Sequence, residues 1–395
     1  MHISKRTLFL QHLAQTSPTP LALEIVSARG IFLEDSSGKK YMDLISGISV
    51  SNLGHCHPKV VAAVKEQADK FMYLMVYGEY IQSPQVKLAK ALSDLLPPSL
   101  SSVYFVNSGA EATEGALKLA KRATGRNEII CFRNAYHGST QGALSVMGNE
   151  EFKNSFRPLL PGVRILEYNN MIELEQISEQ SACVIVEPIQ GEAGAIAGEK
   201  IFLEELRGKC AEKNVLLIFD EIQTGFGRSG KLFAFEHYGI VPDILLLAKG
   251  MGGGMPIGAF IASQKLMSFL TNDPVLGHIT TFGGHPVSCA ASLACLEEIV
   301  NGKLYDKADS IERIIREKLV HPKIKEIRGK GALLAIEFGN AELNMKVISL
   351  CISKGVITDW FLFCQTAMRI APPLIITEEE LNAACSLILE AIDEA

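Results

Sequence analysis

The sequence predicts an α/β fold with a mostly parallel central sheet wrapped by helices, together with a smaller α+β domain built from both termini. Two observations predict this class. Short, nearly continuous apolar runs alternate with longer amphipathic stretches, which is typical of strands that are buried on both faces and joined by crossover helices. Toward both ends of the chain this alternation stops, and hairpin-like and helical segments follow.

The predicted central sheet consists of six apolar runs separated by helical patterns. The strands are expected at 103–106, 128–132, 163–166, 183–186, 216–219 and 244–247. The helices are expected at 59–72, 84–95, 110–123, 138–147, 171–179 and 199–213.

The predicted smaller domain takes its residues from the two ends of the chain. Residues 25–45 predict a short hairpin. The C-terminal part predicts a long helix that starts near residue 300, strands at 324–328 and 332–338, and helices at 342–354 and 378–393. We therefore expect residues 1–45 and 296–395 to form this domain together, and residues 46–295 to form the large domain.

Charge and composition argue against several classes of partner. The 395 residues carry a formal net charge of −6, so no basic field is available to attract a nucleic acid. No apolar run approaches the ~20 residues that a bilayer-spanning helix needs, and the apolar stretch near the N-terminus ends too early for a secretion signal. The nine cysteines include no Cys-x-x-Cys pair, which is typical of reduced thiols. We therefore expect a cytoplasmic protein with no nucleic-acid or membrane partner.

A glycine-rich run offers one hypothesis about function. Gly225-Phe-Gly-Arg-Ser-Gly230 matches the dinucleotide-binding pattern and nearly matches a phosphate-binding loop. A dinucleotide-binding turn opens its helix directly after the strand, whereas four residues separate Asp220 from this run. A phosphate-binding loop needs Ser or Thr after the lysine, and Leu232 stands there. A loop that shapes a nearby site is the favoured interpretation, and a nucleotide-binding oxidoreductase is the alternative from another enzyme class.

Four groups that could do chemistry follow four different predicted strands. Asn107-Ser-Gly-Ala-Glu-Ala112 opens a helix, whose N-terminal N–H groups could bind an anion. Tyr136 offers an aromatic face, and Asp220 offers a carboxylate. Lys249 follows a buried strand, and partial desolvation of its ammonium would lower its pKa. The carboxyl ends of parallel strands meet at one edge of a sheet, where ligand sites lie.

Each of these groups also has a simpler structural explanation. The first could be an ordinary N-cap, Tyr136 a core aromatic, and Lys249 a side chain that reaches solvent from a strand end. Asp220 and Glu221 could instead hold a metal, but no histidine accompanies them at a suitable spacing, and we predict no metal. Together the four groups predict a site for pyridoxal 5′-phosphate, because its phosphate, ring face, ring nitrogen and aldehyde would each have one partner.

Eight motifs along the chain carry a resemblance to a known family. They are Gly54-His-Cys-His-Pro58, Asn107-Ser-Gly-Ala-Glu-Ala112, Tyr136-His-Gly138, Glu187-Pro-Ile-Gln-Gly-Glu192, Phe219-Asp-Glu-Ile-Gln-Thr-Gly-Phe-Gly-Arg228, Leu247-Ala-Lys-Gly250, Thr280-Thr-Phe-Gly-Gly284 and Arg369-Ile-Ala-Pro-Pro373. By these motifs the chain, from about Gly30 to Thr377, resembles the class III aminotransferases, which have the pyridoxal phosphate fold type I. The similarity is greatest to the acetylornithine and ornithine aminotransferases.

The resemblance implies a role for each matching residue. Lys249 would bind the cofactor as a Schiff base and later move the proton, and Asp220 would pair with the ring nitrogen. Tyr136 and Ile222 would pack on the two faces of the ring. The other residues implied to bind the cofactor are Ser108, Gly109 and Ala110 at the phosphate, Gln223 at the phenolic oxygen, and His137 and Glu187 in the neighbouring motifs.

The resemblance also implies how substrates and a partner subunit bind. Thr281 would reach the phosphate held by the other subunit, which implies a homodimer with two shared sites. Glu192 and Arg369 would form a pair that opens so that Arg369 can bind the α-carboxylate of glutamate. Two positions depart from the ornithine-type members: Ser139 stands where they have a carboxylate-binding arginine, and Pro18 falls near a tyrosine that serves ornithine binding. The amino donor is therefore left open.

The combined interpretation is an aminotransferase. We expect it to move an amino group, a terminal one, from an amine or amino-acid donor to an oxo acid such as 2-oxoglutarate. The alternatives on the same scaffold are an aminomutase and a decarboxylating aminotransferase. An aminomutase would turn over without a second oxo acid, so dependence on an acceptor separates it from an aminotransferase.

Overall fold

The computed structural model describes residues 4–395. Its α-helices are α1 (Lys5–His12), α2 (Ser46–Ser49, a single left-handed turn), α3 (Pro58–Lys70), α4 (Ser83–Leu95), α5 (Gly109–Thr124), α6 (Gln141–Ser145), α7 (Lys200–Glu212), α8 (Gln264–Met267), α9 (Pro286–Asn301), α10 (Leu304–Lys318), α11 (Ala341–Ser353) and α12 (Glu378–Glu394). Its strands are β1 (Ile25–Arg29), β2 (Phe32–Asp35), β3 (Lys40–Asp43), β4 (Ser102–Val106), β5 (Glu128–Phe132), β6 (Val163–Leu166), β7 (Ser181–Val186), β8 (Ile189–Gln190), β9 (Ile196–Ala197), β10 (Leu216–Asp220), β11 (Ile244–Leu247), β12 (Gly258–Ala262), β13 (Glu326–Lys330), β14 (Leu333–Glu337), β15 (Val356–Ile357), β16 (Asp359–Phe361) and β17 (Cys364–Ile370).

The central sheet has seven strands in the order β4-β12-β11-β10-β7-β5-β6. Every adjacent pair is parallel except the two that β12 makes, with β11 and with β4. The predicted mostly parallel sheet is therefore confirmed. The carboxyl ends of β4, β5, β7, β10 and β11 lie at one edge, which is where such a sheet places its ligand site.

Both faces of the central sheet are buried, which explains the continuous apolar runs. In β10, Leu217 and Phe219 belong to the core on one face and Ile218 to the core on the other, and all three are 0 % exposed. Helix α5 covers the face of Ile218, while α4, α7 and α9 contribute to the opposite core. Parallel strands covered in this way lose the polar alternation of a half-exposed sheet.

One strand and one helix of this layer are absent from the sequence-based prediction. Strand β12 reads Gly-Ala-Phe-Ile-Ala and follows a run rich in glycine, so its pattern is weak. Helix α9 is mostly apolar and largely buried; even Ser288 and Ser292 are buried, and only Glu297 and Asn301 are exposed. A helix without a polar face shows no clear 3.6-residue period in its sequence.

Two predicted helices are shorter in the structure. The helix expected at 138–147 is confined to α6, because Gly138 has a φ of +126°, outside the helical region. The helix expected at 171–179 is a 3₁₀ turn at Ile172–Gln176 with Leu174 as its only buried residue. Without an apolar stripe to bury, a longer helix gains little from packing.

The two ends of the chain share a sheet and a core. Strand β3 pairs in parallel with β15, with Met42 opposite Val356, and the antiparallel β1-β2-β3 ribbon occupies the region of the expected hairpin. A second sheet has the order β13-β14-β17-β16. Ile31 and Leu44 join residues of α10, α11 and α12 in one apolar cluster. The domain boundaries at 45 and 295 stay a prediction, and residues 1–3 of that first segment lie outside the described residues.

Residues 4–395 contain neither a membrane-spanning helix nor a cluster of metal-ligand side chains. No helix there is both long enough and apolar enough to cross a bilayer, and no three His, Cys, Asp or Glu side chains are grouped as metal ligands would be. The imidazoles of the Gly54–Pro58 motif lie near different carboxylates: His55 Nε2 is 2.8 Å from Asp43 Oδ2, and His57 Nε2 is 3.9 Å from Glu298 Oε2.

Candidate active site

A cavity of about 540 Å³ opens at the edge of the central sheet where β4, β5, β7, β10 and β11 end. Ten of the eleven residues predicted to bind the cofactor line it. The lining residues are Val50, Asn107, Ser108, Gly109, Ala110, Tyr136, His137, Gly138, Ser139, Glu187, Asp220, Ile222, Gln223, Ala248, Lys249, Gly254, Met255, Pro256 and Ile257.

The start of α5 forms one wall of this cavity. Ser108 is its N-cap, and the Ser108 hydroxyl accepts a hydrogen bond from the N–H of Glu111 at 3.2 Å. The first N–H groups of the helix, at Gly109 and Ala110, have no partner within the helix. Gly138 packs so closely here that a Cβ on it would lie 2.7 Å from the Ala110 Cβ. The helix dipole and these free donors favour an anion at this point.

A buried carboxylate–imidazole pair lies at the end of β10. Asp220 Oδ2 is 2.7 Å from His137 Nδ1, and Asp220 Oδ1 accepts the N–H of Ile222 at 3.0 Å. His137 Nε2 is buried and has no partner among the described residues. The resemblance placed His137 only among the cofactor-binding residues, and in the structure its Nδ1 contacts the Asp220 carboxylate and so orients it.

Glu187 is a second buried carboxylate beside this pair. Its two oxygens accept the N–H of Tyr136 at 3.0 Å and the N–H of Gly191 at 3.1 Å. Burial raises the pKa of Glu187 to about 7, and the charge of Asp220 also raises it, whereas His137 and the two N–H donors lower it. Glu187 thus fixes the backbone of the Tyr136 segment against the segment that follows β7.

Lys249 follows β11 at the base of the cavity. Its φ is +44°, a left-handed conformation that costs a non-glycine residue on the order of 1 kcal/mol. Burial lowers the pKa of the Lys249 ammonium, Arg369 lowers it further, and Glu192 and Asp220 oppose the change. A lysine with a lowered pKa supplies the neutral amine that covalent chemistry and proton transfer need.

The side walls of the cavity are formed by Tyr136, Ile222 and Gln223. Gly109 packs against Ile222, because a Cβ on Gly109 would lie 2.8 Å from Ile222 Cδ1. The Tyr136 and Ser139 hydroxyls are 3.2 Å apart. Gln223 is buried, and its Nε2 has no hydrogen-bond partner among residues 4–395. A buried amide donor of this kind is costly unless a ligand satisfies it.

A buried ion pair lies outside the residues that line this cavity. Arg369 on β17 is 1 % exposed and donates through Nη2 to Glu192 Oε2 at 2.8 Å. Burial raises the pKa of Glu192, but the charges of Arg369 and Lys249 outweigh it, so the net shift is downward. Since Glu192 and Lys249 shift each other's pKa, the ion pair lies within electrostatic reach of the lysine.

Asp359 is a second carboxylate beside Arg369, and the sequence did not reveal it. Its Oδ1 lies 3.2 Å from Arg369 Nε, and burial raises the pKa of Asp359 to about 7 although Arg369 lowers it. The Phe361 ring centroid is 4.5 Å from the guanidinium carbon. Arg369 Nη1 is buried and has no partner among the described residues. The guanidinium therefore keeps free donors for an incoming carboxylate.

Thr281 is the one predicted cofactor-binding residue that does not line the cavity. It is exposed, and its backbone oxygen accepts a hydrogen bond from the Tyr73 hydroxyl at 2.9 Å. Thr281 therefore does not contribute to the cavity of the subunit to which it belongs.

The Gly225–Gly230 loop is buried and filled by protein atoms. A Cβ on Gly227 would lie 2.9 Å from Leu374 Cδ1, and one on Gly230 would lie 2.4 Å from Asp309 Oδ1. Arg228 is 0 % exposed and donates to the Ala332 oxygen at 3.0 Å and to the Pro372 oxygen and Asn52 Oδ1 at 2.5 Å. The glycines serve close packing around Arg228, and the loop leaves no space for the nucleotide of the alternative hypothesis.

Arg228→Met is expected to lower the free energy of unfolding by roughly 2–4 kcal/mol, because it leaves three buried oxygens without their donor. Urea denaturation measures the change. Arg313→Met is the matched control, since Arg313 is exposed and pairs with Glu317 on its own helix, so the expected change is within about 0.5 kcal/mol. Equal effects of the two substitutions would contradict the packing role of Arg228.

Several lining residues escaped the sequence analysis. Val50 follows the left-handed turn at Ser46–Ser49, and Met255, Pro256 and Ile257 follow the glycine run after Lys249. The glycine run points from the sequence to these last three residues, because it predicts a backbone that approaches a ligand closely. Val50 offered no signal, because it is brought to the site by a turn that sequence patterns do not predict.

Comparison with known proteins agrees with this geometry. The family model "Aminotransferase class-III" matches residues 13–392. The acetylornithine aminotransferase of Methanocaldococcus jannaschii is 39% identical over 95% of this chain and 93% of its own length. The [LysW]-aminoadipate semialdehyde/glutamate semialdehyde transaminase of Sulfurisphaera tokodaii is 37% identical over 94% of this chain and 95% of its own. The ornithine aminotransferase structure from Toxoplasma gondii has a TM-score of 0.91 and 31% identity, covering 98% of this chain and 93% of that one.

The fold and the cavity define a pyridoxal-phosphate enzyme of fold type I, as predicted. The chain belongs to the class III aminotransferases, and the predicted enzyme class and cofactor are confirmed with it. The residues present fit pyridoxal 5′-phosphate. The start of α5 suits its phosphate, the Asp220 carboxylate suits a protonated ring nitrogen, and the unpartnered Nε2 of Gln223 suits its phenolic oxygen.

Proposed function

We propose that this enzyme moves a terminal amino group from an amine or amino-acid donor to an oxo acid such as 2-oxoglutarate. The observation that supports it best is Arg369, a buried guanidinium with a free Nη1, closed by Glu192 within electrostatic reach of Lys249. A buried cation with unfilled donors is a binding site for a carboxylate. The donor and the oxo acid bind in the same site one after the other. The oxo acid needs the Arg369 guanidinium to be free, whereas an amine donor needs it to be neutralised by Glu192.

The cavity residues hold the cofactor in this proposal. Pyridoxal phosphate, when bound, supplies an aldehyde that exchanges amino groups and a ring that withdraws electrons from the reacting carbon. The N–H groups of Gly109 and Ala110, with the Ser108 hydroxyl, bind the phosphate. Tyr136 and Ile222 pack on the two faces of the ring, and Gln223 donates its free N–H to the phenolic oxygen.

The buried pair of Asp220 and His137 keeps the ring nitrogen of the cofactor positively charged. Asp220 accepts the ring N–H, and His137 holds the carboxylate in position through the 2.7 Å contact. Glu187 keeps Tyr136 in place through its backbone N–H. The low exposure of Asp220, at 4 %, strengthens its interaction with the ring because little water screens it.

Lys249 moves the proton in this proposal. With the cofactor bound, Lys249 Nζ would accept the proton released by the amino-bearing carbon of the donor and would later give it back, which is the proton movement that amino exchange needs. The lowered pKa of Lys249 keeps a larger share of the side chain in the neutral, basic form near neutral pH. Lys249 lines the same cavity as Asp220, and the Glu192–Arg369 pair lies outside that lining but within electrostatic reach of the lysine.

The cavity lacks a second cationic side chain, and this limits which amino donors it can bind. The curated relatives include acetylornithine aminotransferases, but position 139 here is an uncharged serine, whose hydroxyl lies 3.2 Å from the Tyr136 hydroxyl. Lys249 is the only lysine or arginine among the described residues that line the cavity. Ornithine and N-acetylornithine are therefore not the favoured donors, because no second cation is present for a distal carboxylate.

We also propose a homodimer in which Thr281 reaches the phosphate held by the partner subunit. Thr281 lies on the surface beside exposed apolar side chains, among them Phe282 and Tyr73, which pack with their rings 5.2 Å apart. Ile81 is 95% exposed and Val275 is 71% exposed. A second copy of the chain would cover such an apolar surface.

A screen of donors and acceptors tests the proposed function. Purified enzyme is incubated with terminal amines and ω-amino acids, each with 2-oxoglutarate, pyruvate or oxaloacetate, and the aminated product is measured. The proposal expects product only when both a donor and an oxo acid are present. Conversion of a donor without any acceptor would identify an aminomutase, and release of carbon dioxide from the donor would identify a decarboxylating enzyme, so either result would overturn it.

Arg369→Ala is expected to slow the 2-oxoglutarate and glutamate half-reaction by roughly 2–4 kcal/mol of transition-state stabilisation, about 30- to 1000-fold, because a charged bidentate contact is lost. The amine half-reaction, in which Glu192 masks Arg369, should change much less. Spectroscopic half-reactions with each substrate alone measure both. Arg164→Ala, which breaks a half-exposed pair with Glu128, is the control and should alter neither. Equal losses in both half-reactions would reject the alternating role of Arg369.

A further inference from the structure

The two-residue turn Leu362-Phe363 joins β16 to β17 and is held by Glu192 at two points. The N–H of Leu362 donates to Glu192 Oε2 at 3.1 Å, and the N–H of Phe363 donates to the Glu192 backbone oxygen at 3.0 Å. Oε2 is the same atom that accepts from Arg369 Nη2 at 2.8 Å. Glu192 Oε2 therefore accepts from both the guanidinium and the N–H of Leu362, whereas the N–H of Phe363 is held separately by the Glu192 backbone.

The turn places an aromatic ring next to the cavity. The Phe363 centroid is 6.4 Å from that of Tyr136 and 5.2 Å from that of Phe152, with the second pair edge-to-face. Tyr136 lines the cavity, whereas Phe152 is 36% exposed. These three rings, which we call the aromatic wall (Tyr136, Phe152 and Phe363), therefore extend from the cavity to the surface.

The two cationic side chains that follow Phe152 most closely in the sequence are already paired. Lys153 is buried, lies 3.5 Å from Glu150, and donates to the backbone oxygens of Ser145 and Met147. Arg157 pairs with the same Glu150. The wall is therefore an apolar surface whose nearby cations are occupied, which suits an uncharged group and offers nothing to a carboxylate.

We propose that the aromatic wall binds the apolar distal end of the amino donor, and that Glu192 couples this contact to the binding of the oxo acid at Arg369. This rests on the function proposed above. While Glu192 holds both Arg369 and the turn, Phe363 stays against Tyr136 and the wall is complete for the donor. When a carboxylate takes Arg369, Glu192 turns away, the N–H of Leu362 loses its acceptor, and the wall loosens. The substrate class is primary amines whose end remote from the reacting amino group is apolar.

Donor kinetics test the aromatic wall. The donors are primary amines of matched length that end in a phenyl or alkyl group or in a carboxylate. Phe363→Ala and Phe152→Ala are expected to lower kcat/KM for the apolar-ended donors by roughly 10- to 100-fold, the scale of a lost aromatic contact, and to change the glutamate half-reaction less than about threefold. Leu362→Ala is the matched control, because it keeps the turn and its backbone N–H and removes an exposed side chain.

The outcomes separate this inference from the proposed function. Losses of the same size for apolar-ended and carboxylate-ended donors, or a wild-type enzyme that prefers carboxylate-ended donors, would overturn the wall. Failure of the proposed function is seen in a different measurement, the screen of donors and acceptors. There, the wild-type enzyme would transfer no amino group from any donor to any oxo acid.

The single tryptophan of the chain reports the coupling. Trp360 lies beside the turn, and its backbone oxygen accepts from Arg369 Nη2 at 3.2 Å. Glutarate, a dicarboxylate that cannot accept an amino group, is titrated into the holoenzyme while tryptophan emission is followed. A saturable change is expected in the wild type and none in Arg369→Ala, with Trp360→Phe as the silent control. Unchanged emission at glutarate concentrations that competitively inhibit 2-oxoglutarate would overturn the coupling.

Discussion

Lys249→Ala is expected to abolish amino transfer, with turnover reduced by at least about a thousandfold, while the protein still folds. The substitution removes both the covalent attachment of the cofactor and the base that moves the proton. The fold survives because the change removes one partly exposed side chain at the base of the cavity and leaves the β11 core intact. Turnover, the yellow colour of the purified protein and thermal unfolding measure the three parts of this prediction.

The control for this substitution is Lys265→Ala. Lys265 is an exposed lysine on the short helix α8, so its removal should leave colour, turnover and unfolding unchanged. If Lys249→Ala kept full turnover, Lys249 would not be the residue that carries the cofactor. If it failed to fold, the effect on turnover would have to be assigned to stability instead.

Asp220→Asn is expected to slow the chemical step by roughly 10²- to 10³-fold while the cofactor is largely retained. A neutral amide cannot stabilise a positive ring nitrogen, so the ring loses much of its capacity to withdraw electrons in the transition state. The phosphate contacts at the start of α5 remain, which is why retention should suffer less. Cofactor content and the single-turnover rate, measured on the same preparation, distinguish binding from chemistry.

Asp243→Asn serves as the matched control. Asp243 precedes β11, pairs with Arg207 and accepts the N–H of Leu217, far from the cavity lining. Its substitution should reduce stability modestly and leave the single-turnover rate unchanged. A rate unaffected by Asp220→Asn, or equally affected by Asp243→Asn, would remove Asp220 from its proposed role.

The convergence of the site could be predicted because it depends on two local patterns. Each predicted strand of the central sheet is an apolar run, and each chemical group follows such a run within four residues, as Asp220 follows Phe219 and Lys249 follows the run ending at Ala248. Parallel strands bring these ends to one edge whatever their separation in sequence. The sequence alone therefore predicts that one edge of the sheet carries Ser108, Tyr136, Asp220 and Lys249.

The partners of these groups could not be predicted in the same way. Asp220 and His137 are 83 residues apart, and their contact depends on how the Tyr136 segment turns back over β10. The proximity of Asp359 to Arg369 depends on the antiparallel register of β16 and β17, where the two residues face each other. The link from Glu192 to Leu362 spans 170 residues and involves a backbone N–H that has no signature in the sequence. Such contacts are products of tertiary packing.

Transfer of labelled nitrogen tests the central claim most directly. Glutamate labelled with heavy nitrogen is added alone to the wild-type enzyme, excess glutamate is removed, and an oxo acid other than 2-oxoglutarate is then added. We predict that mass spectrometry finds 2-oxoglutarate after the first step and the label in the amino acid formed from the second oxo acid, with at most one label transferred per subunit. Label released as ammonia, or an unlabelled second product, would contradict the account of one site that passes an amino group between two substrates.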